Sequence, residues 1–148
     1  MAAAVTYLET FGNSLALEEG AEPASRRNSI VRAMASIREY EATLSREMLE
    51  VLHAAGAIVY GVDDPTRLAE RVPTFCFYFP EISPAFVTET MSDRGIGIRD
   101  GHMYAPRLMK HLGVDVGSGV IRASILHYNT VEEIHEFGKV LGDMVRSE

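Results

Sequence analysis

The chain has 148 residues, of which 47% are hydrophobic, and this is enough to bury the core of one domain. Its formal net charge of −7 argues against a nucleic-acid backbone as a partner. The single cysteine excludes an internal disulfide and any multi-cysteine metal site, and is typical of a reducing cytoplasm.

Neither a membrane span nor a leader is predicted. No apolar stretch reaches the roughly 18–20 residues that a transmembrane helix requires. The first nine residues contain no basic region and already include Glu9, which is not typical of a signal peptide. We therefore expect a soluble, cytoplasmic protein with no membrane partner.

The N-terminal part of the sequence predicts two helices. Residues 2–11 form the first, which Gly12 and Asn13 are expected to end, and residues 13–24 have the composition of a connection. A long helix then begins near Ser25, a residue that caps exposed amides, and ends at Gly56. Its predicted apolar stripe consists of Ile30, Met34, Ile37, Leu44, Met48 and Val51. The predicted organisation is an N-terminal helix and connection over 1–24 and one domain over 25–148.

Four later segments have the character of strands. Residues 57–60 and 97–99 are short, and residues 74–79 are apolar at nearly every position, which predicts a central strand buried on both faces. Residues 120–126 alternate, with Arg122 on the more polar side.

Three helices separate or follow these strands, and their starts carry recognisable signals. Ser83 and Pro84 open a helix that runs to about Ser92, and another extends from Pro106 to Gly113. The last helix begins with a capping box, Thr130 with Glu133. Its predicted buried stripe is Ile134, Phe137, Leu141, Met144 and Val145. The fold class predicted is α+β: a small, mostly antiparallel sheet with helices packed on it in two layers, preceded by a long helix.

Arg122 is the first candidate for a binding residue. A guanidinium in mid-strand can make a planar two-point contact with a carboxylate. The same pattern also fits an arginine on the solvated side of an amphipathic strand.

Arg99 and His102 are further candidates, because Gly101 allows a tight turn that can direct both side chains towards a cleft. His102 also fits a turn histidine bonded to nearby backbone. Cys76 lies within the apolar run 74–79 and is expected to be a core residue with a raised pKa.

A metal site is not predicted. The acidic residues and the histidine of the last helix do not have the spacing of a metal-binding helix, so we interpret them as a charged outer face. These residues are Glu132, Glu133, His135 and Glu136.

One series of short motifs resembles a known family. From Gly97 the sequence continues with Ile-Arg-Asp-Gly-His (98–102), Tyr-Ala-Pro (104–106), Leu-Gly-Val (112–114), Ile-Arg-Ala-Ser (121–124) and Tyr-Asn-Thr-Val-Glu-Glu (128–133). This order resembles the C-terminal part of the class V aminotransferases and cysteine desulfurases, enzymes that use pyridoxal phosphate. The resemblance is specific over residues 95–141 and more diffuse before them. It implies that the chain is the small C-terminal domain of such an enzyme.

The resemblance also implies roles for individual residues. The family's arginine at the position of Arg122 grips the substrate carboxylate, and the segment with Arg99 and His102 lines the active site. The mobile cysteine that accepts sulfur in desulfurases falls at Tyr104. A phenol cannot carry sulfur as a thiolate does, so desulfurase chemistry is not expected. The three substrate-binding candidates are thus Arg122, Arg99 and His102, and no catalytic residue is assigned.

The family holds its cofactor on a lysine of a large domain that lies upstream. The only lysines of this sequence, Lys110 and Lys139, both follow the start of the motif. We therefore expect no cofactor in this chain and no catalysis by the chain alone. Its partner would be a separately supplied large domain.

A second hypothesis is a stand-alone module that binds a small carboxylate ligand or another protein, including a second copy of itself. Self-association would shield apolar surface that a large domain otherwise covers.

Overall fold

The computed structural model describes residues 2–22 and 25–146. The chain divides into two compact units, Met1–Glu41 and Ala42–Glu148, and the predicted boundary after residue 24 stays a prediction. The elements are α1 (Ala2–Glu18), α2 (Arg26–Ala54), β1 (Ile58–Tyr60), a 3-10 helix (Pro65–Glu70), β2 (Thr74–Tyr78), α3 (Pro84–Asp93), β3 (Arg99–Gly101), α4 (Pro106–His111), β4 (Val120–Ser124) and α5 (Val131–Arg146). No helix within the described residues is long and apolar enough to cross a membrane.

The first unit pairs α1 with the N-terminal part of α2. A Cβ atom at Gly12 would lie 1.8 Å from the carbonyl oxygen of Ser29, so the two helices touch where one has no side chain. The hydroxyl of Ser29 donates a hydrogen bond to Oδ1 of Asn13 at 2.6 Å. The prediction that Gly12 and Asn13 end α1 is wrong, because both lie inside a helix that continues to Glu18. Of the predicted connection, residues 23 and 24 lie outside the described residues.

The second unit contains a four-stranded sheet in the order β1-β2-β4-β3, with every pair of neighbours antiparallel. One face of this sheet packs on α2, α3 and α5, which confirms the α+β fold class. The residues that form the centre of this core are Leu44, Leu49, Leu52, Phe75, Phe77, Val87, Met91, Ile121, Ile134 and Leu141, all with 2% exposure or less.

The opposite face of the sheet, which we call the open face, is less buried. It carries Ile58, Tyr60, Thr74, Cys76, Tyr78, Arg99, Arg122 and Ser124. Thr74 is exposed and Cys76 and Tyr78 are half-buried, whereas Phe75 and Phe77 are fully buried. The prediction of a strand buried on both faces is therefore wrong. Cys76 and Tyr78 count as apolar residues in a sequence pattern. The alternation between the buried and the less buried side chains of β2 was therefore not visible in the sequence.

Most helix signals are confirmed. Ser83 accepts a hydrogen bond from the amide of Phe86, and Thr130 and Glu133 make the reciprocal bonds of the capping box. The prediction that Met34 belongs to the apolar stripe of α2 is wrong, because Met34 is 50% exposed. The strand predicted at 97–99 lies at Arg99–Gly101 instead, since Ile98 packs partly against the core and does not join the ladder.

Substitution of Gly119 tests whether its backbone lies close to that of Gly101, at the end of β3. Its φ is +67°, and a Cβ atom there would lie 2.1 Å from the carbonyl carbon of Gly101. Gly119→Ala is expected to cost roughly 3 kcal/mol or more of unfolding free energy, because strain and a backbone clash add. Gly113→Ala is the matched control. It has φ +73° and nothing within 4 Å of the added atom, so about 1 kcal/mol is expected. Urea unfolding measures both, and equal losses would contradict the close approach at Gly101.

Candidate functional site

One row of side chains crosses the open face from one edge of the sheet to the other. The register places Tyr60 opposite Cys76, Cys76 opposite Arg122, and Arg122 opposite Arg99. Directly opposed residues of antiparallel strands project to the same face, with Cβ atoms roughly 4.5–5.5 Å apart. We call Tyr60, Cys76, Arg122 and Arg99 the transverse row.

Arg99 and Arg122 form a pair of like charges at one end of this row. Among the described residues, neither has a carboxylate within 4.0 Å, although ion pairs of other arginines occur elsewhere in the chain. Like charges that face each other across a strand pair are destabilising. An anion that accepts hydrogen bonds from both guanidinium groups would remove this repulsion. Arg122 is also half-buried, which strengthens its interaction with such a ligand.

Cys76 is the neighbour of Arg122 on β2. Partial burial raises the pKa of its thiol, and the nearby Arg122 guanidinium acts in the opposite direction. The raised pKa confirms the expectation, but the predicted core location is wrong. Cys76 is half-buried on the open face, because it occupies the alternate position between Phe75 and Phe77.

Two tyrosines extend the open face beyond Cys76. The rings of Tyr60 and Tyr78 stack with centroids 5.7 Å apart and planes 14° apart. Partial burial, and then the proximity of Tyr78, raises the pKa of Tyr60. Sequence reasoning missed this pair. The two-residue spacing of Thr74, Cys76 and Tyr78 is the signal that could have indicated it.

His102 lies beyond the end of the strand pair. It is exposed, and its Nδ1 accepts a hydrogen bond from the amide of Tyr104 at 3.1 Å. It is three residues from Arg99, or about 10 Å along the strand direction. The structure therefore pairs Arg99 with Arg122 and places His102 in the following turn. This contact fits the interpretation of His102 as a turn histidine, and its substrate-binding role stays a prediction.

The turn after His102 has an uncommon backbone. Met103 and Tyr104 have φ values of +49° and +60°, in the left-handed region that residues with side chains seldom adopt. The side chain of Tyr104 is 90% exposed. The conformation presents a phenol to the surroundings at the position where the resemblance places the desulfurase cysteine.

Both lysines of the sequence lie on helix surfaces. Lys110 is exposed on α4, and Lys139 is exposed on α5, where its Nζ lies 3.8 Å from a carboxylate oxygen of Glu136. Within residues 2–22 and 25–146, no group of three or more histidine, cysteine or acidic side chains could hold a metal ion.

Comparison with known proteins identifies the family. The model of the class-V aminotransferases matches residues 31–137. The chain therefore belongs to the class-V aminotransferase family, which is a family of pyridoxal-phosphate enzymes.

Individual relatives agree with this assignment. An aminotransferase-like protein of Gibberella zeae is 37% identical over 103 residues, which cover 68% of this chain and 25% of the relative. A probable cysteine desulfurase of Methanothermobacter thermautotrophicus is 33% identical over 102 residues, which cover 66% and 25%. The chain thus spans about a quarter of the length of these curated relatives.

A solved structure shares the fold. The apo cysteine desulfurase of Thermococcus onnurineus superposes with a TM-score of 0.70 at 27% identity, over 86% of this chain and 33% of that chain. The helices and the antiparallel sheet are thus an arrangement that occurs within a larger family member.

The electrostatic influence of Arg122 on the thiol of Cys76 can be tested through the alkylation of Cys76 with iodoacetamide. The midpoint of its pH–rate profile is expected above that of free cysteine, because burial disfavours the thiolate. In Arg122→Leu the midpoint should rise further, since a charge that stabilises the thiolate is lost. Arg122→Lys retains the charge and should stay near the original profile. A downward shift in Arg122→Leu would contradict this arrangement.

Proposed function

We propose that this chain is the C-terminal small domain of a pyridoxal-phosphate-dependent class-V aminotransferase-like protein and supplies the substrate-carboxylate side of the active site. The Arg99–Arg122 pair supports this proposal, because the two residues lie directly opposite each other on β3 and β4 and neither has a carboxylate within 4.0 Å among the described residues. Two guanidinium groups that start from such positions can both donate hydrogen bonds to one anion. The partial coverage of the relatives, about a quarter of their length, supports the assignment to a part of such a protein.

In this proposal each arginine has a distinct task. Arg122 is half-buried in the centre of a rigid strand and makes the two-point contact that fixes the carboxylate plane. Arg99 is exposed on the outer strand and adds a second positive charge from the side. When bound, the pyridoxal group supplies the electron sink for chemistry at the amino-bearing carbon. The role of this chain is to bind and orient the substrate.

Transfer of an amino group fits these residues better than transfer of sulfur. Tyr104 offers a phenol at the exposed turn, and the sole cysteine of the sequence, Cys76, is half-buried within a strand with a raised pKa. A sulfur acceptor requires an accessible thiolate on a segment that can reach the substrate.

We also propose that these 148 residues are not catalytic by themselves. The purified chain mixed with pyridoxal phosphate and then borohydride should give no stoichiometric adduct at Lys110 or Lys139, because both are exposed and neither lines the cavity beside β3 and β4. Intact-mass analysis and peptide mapping measure this. A stoichiometric adduct at one lysine, together with amino-acid turnover, would show that the chain is catalytic by itself and would contradict the proposal.

The anion site can be tested with L-alanine as a carboxylate probe, followed by amide chemical shifts of β3 and β4. Weak, saturable binding is expected, and Arg122→Ala should weaken it at least about tenfold, because a charge-assisted, two-point contact is lost. Arg122→Lys should be intermediate, since a point charge replaces a planar fork. Arg94→Ala, a change at another exposed arginine, is the matched control and should leave the affinity unchanged.

Two outcomes would redirect the proposal. Equal loss in Arg94→Ala would mean general electrostatic attraction and no specific site. Tight binding that is lost in Arg122→Ala, without any added protein, would favour a stand-alone carboxylate-binding module. Self-association also stays a prediction, and it is checked by sedimentation.

A further inference from the structure

A cavity of about 320 Å³ lies where β3 and β4 separate. These strands pair through Gly101–Val120, Asp100–Ile121 and Arg99–Arg122, and the pairing ends there. A regular continuation would place Gly97 opposite Ser124, but the cavity is lined by both of these residues. The separation of the two chain segments therefore opens a space at the edge of the sheet.

The floor of this cavity consists of apolar residues of the core. Met48 of α2 and two residues of α5, Ile134 and Phe137, are 3% exposed or less and belong to the core. Ile96 and Ile98 form apolar walls from the segment that precedes β3. A volume near the lower end of the roughly 300–1,000 Å³ typical of ligand pockets fits a small organic molecule.

The rim of the cavity is acidic. Glu133 and Glu136 line it, and no lysine or arginine does so among the described residues. Lys139 lies outside the lining, but its Nζ is 3.8 Å from Oε2 of Glu136, so Glu133 carries more of the negative charge that is open to a ligand. One oxygen of Glu133, Oε2, accepts hydrogen bonds from Asn129 Nδ2 and from the amide of Thr130, each at 3.0 Å. These bonds, first that of Asn129 and then that of Thr130, lower the pKa of Glu133. The carboxylate is therefore held in place and ionised at neutral pH.

The N-terminus of α5 lies at this rim, but it does not make the rim a site for anions. A helix N-terminus attracts anions through its free amides. Here the amide of Glu133 already donates a hydrogen bond to the hydroxyl of Thr130, and the amide of Ile134 donates one to the carbonyl oxygen of Thr130. The acidic side chains of the first turn also compensate the helix dipole, so a positive ligand group is favoured at this rim.

We propose that this cavity binds a small organic ammonium ion, with its apolar body against Ile96 and Ile98 and its charged nitrogen at Glu133 and Glu136. Neither Arg99 nor Arg122 lines the cavity, although their chain neighbours Ile98 and Ala123 do, and the cavity takes a ligand of the opposite charge. It therefore does not depend on the proposed function of that pair.

The test uses the full chain and three probes of similar shape: 2-phenylethylamine, 2-phenylethanol and 3-phenylpropionate. Phenylethylamine should bind with a millimolar or tighter Kd and shift the amide signals of Gly95, Gly97, Ile98 and Ile134. The alcohol should bind more weakly and the carboxylate most weakly. Methylamine, which has the charge but no apolar body, should show no saturable binding.

Three variants locate the charged contact. Glu136→Gln and Glu133→Gln should each weaken the amine about two- to fivefold, the range of an exposed ion pair, and glutamine at 133 retains the capping box. The double variant should approach the affinity of the alcohol. Glu132→Gln lies on the same turn but does not line the cavity, so it is the matched control and should change the affinity by less than twofold.

Four results would overturn the proposal. They are the absence of saturable shifts around the cavity, a carboxylate that binds as well as the amine, an equal loss in Glu132→Gln, and concentration-dependent broadening of the same signals without ligand. The last result would mean that a second copy of the chain occupies the cavity.

Discussion

The burial of one face of the sheet is the constraint on which the rest of the second unit depends. Phe75 and Phe77 of β2 and Ile121 of β4 are fully enclosed by the helices. Because side chains alternate along a strand, a slip of one residue would move all of them to the opposite face. The packing of the core therefore also fixes which residues lie on the open face, and Arg122 is among them.

This constraint explains how two arginines can face each other. Burial of a phenylalanine stabilises a fold by roughly 1.5–3 kcal/mol, whereas a like-charge pair on a sheet opposes it by about 0.2–1 kcal/mol. The core thus holds Arg99 opposite Arg122 in spite of their repulsion. Locally unfavourable arrangements of this kind are expected where a protein binds a ligand.

Local signals in the sequence were sufficient for much of the fold. The cap at Ser83, the capping box of Thr130 and Glu133 and the alternation of β4 from Ile121 to Ser124 each depend on neighbouring residues, and all were confirmed. Val120, at the start of β4, departs from this alternation because it is fully buried. The predicted end of α1 at Gly12 was wrong. Gly12 allows a close approach of α1 to Ser29, seventeen residues away, and does not end the helix. The exposure of Cys76 and the pairing of Arg99 with Arg122 depend on strand register, which no local pattern contains.

The two outermost strands, β1 and β3, are only three residues long. An outer strand of this length offers few free amides and carbonyl groups to another polypeptide, and charged side chains at Arg99 and Asp100 discourage an approach. The strand-prone run of β2 is enclosed between β1 and β4. Fibril growth from this chain would consequently begin with molecules that have lost their outer strands, and its rate would follow the population of such opened states.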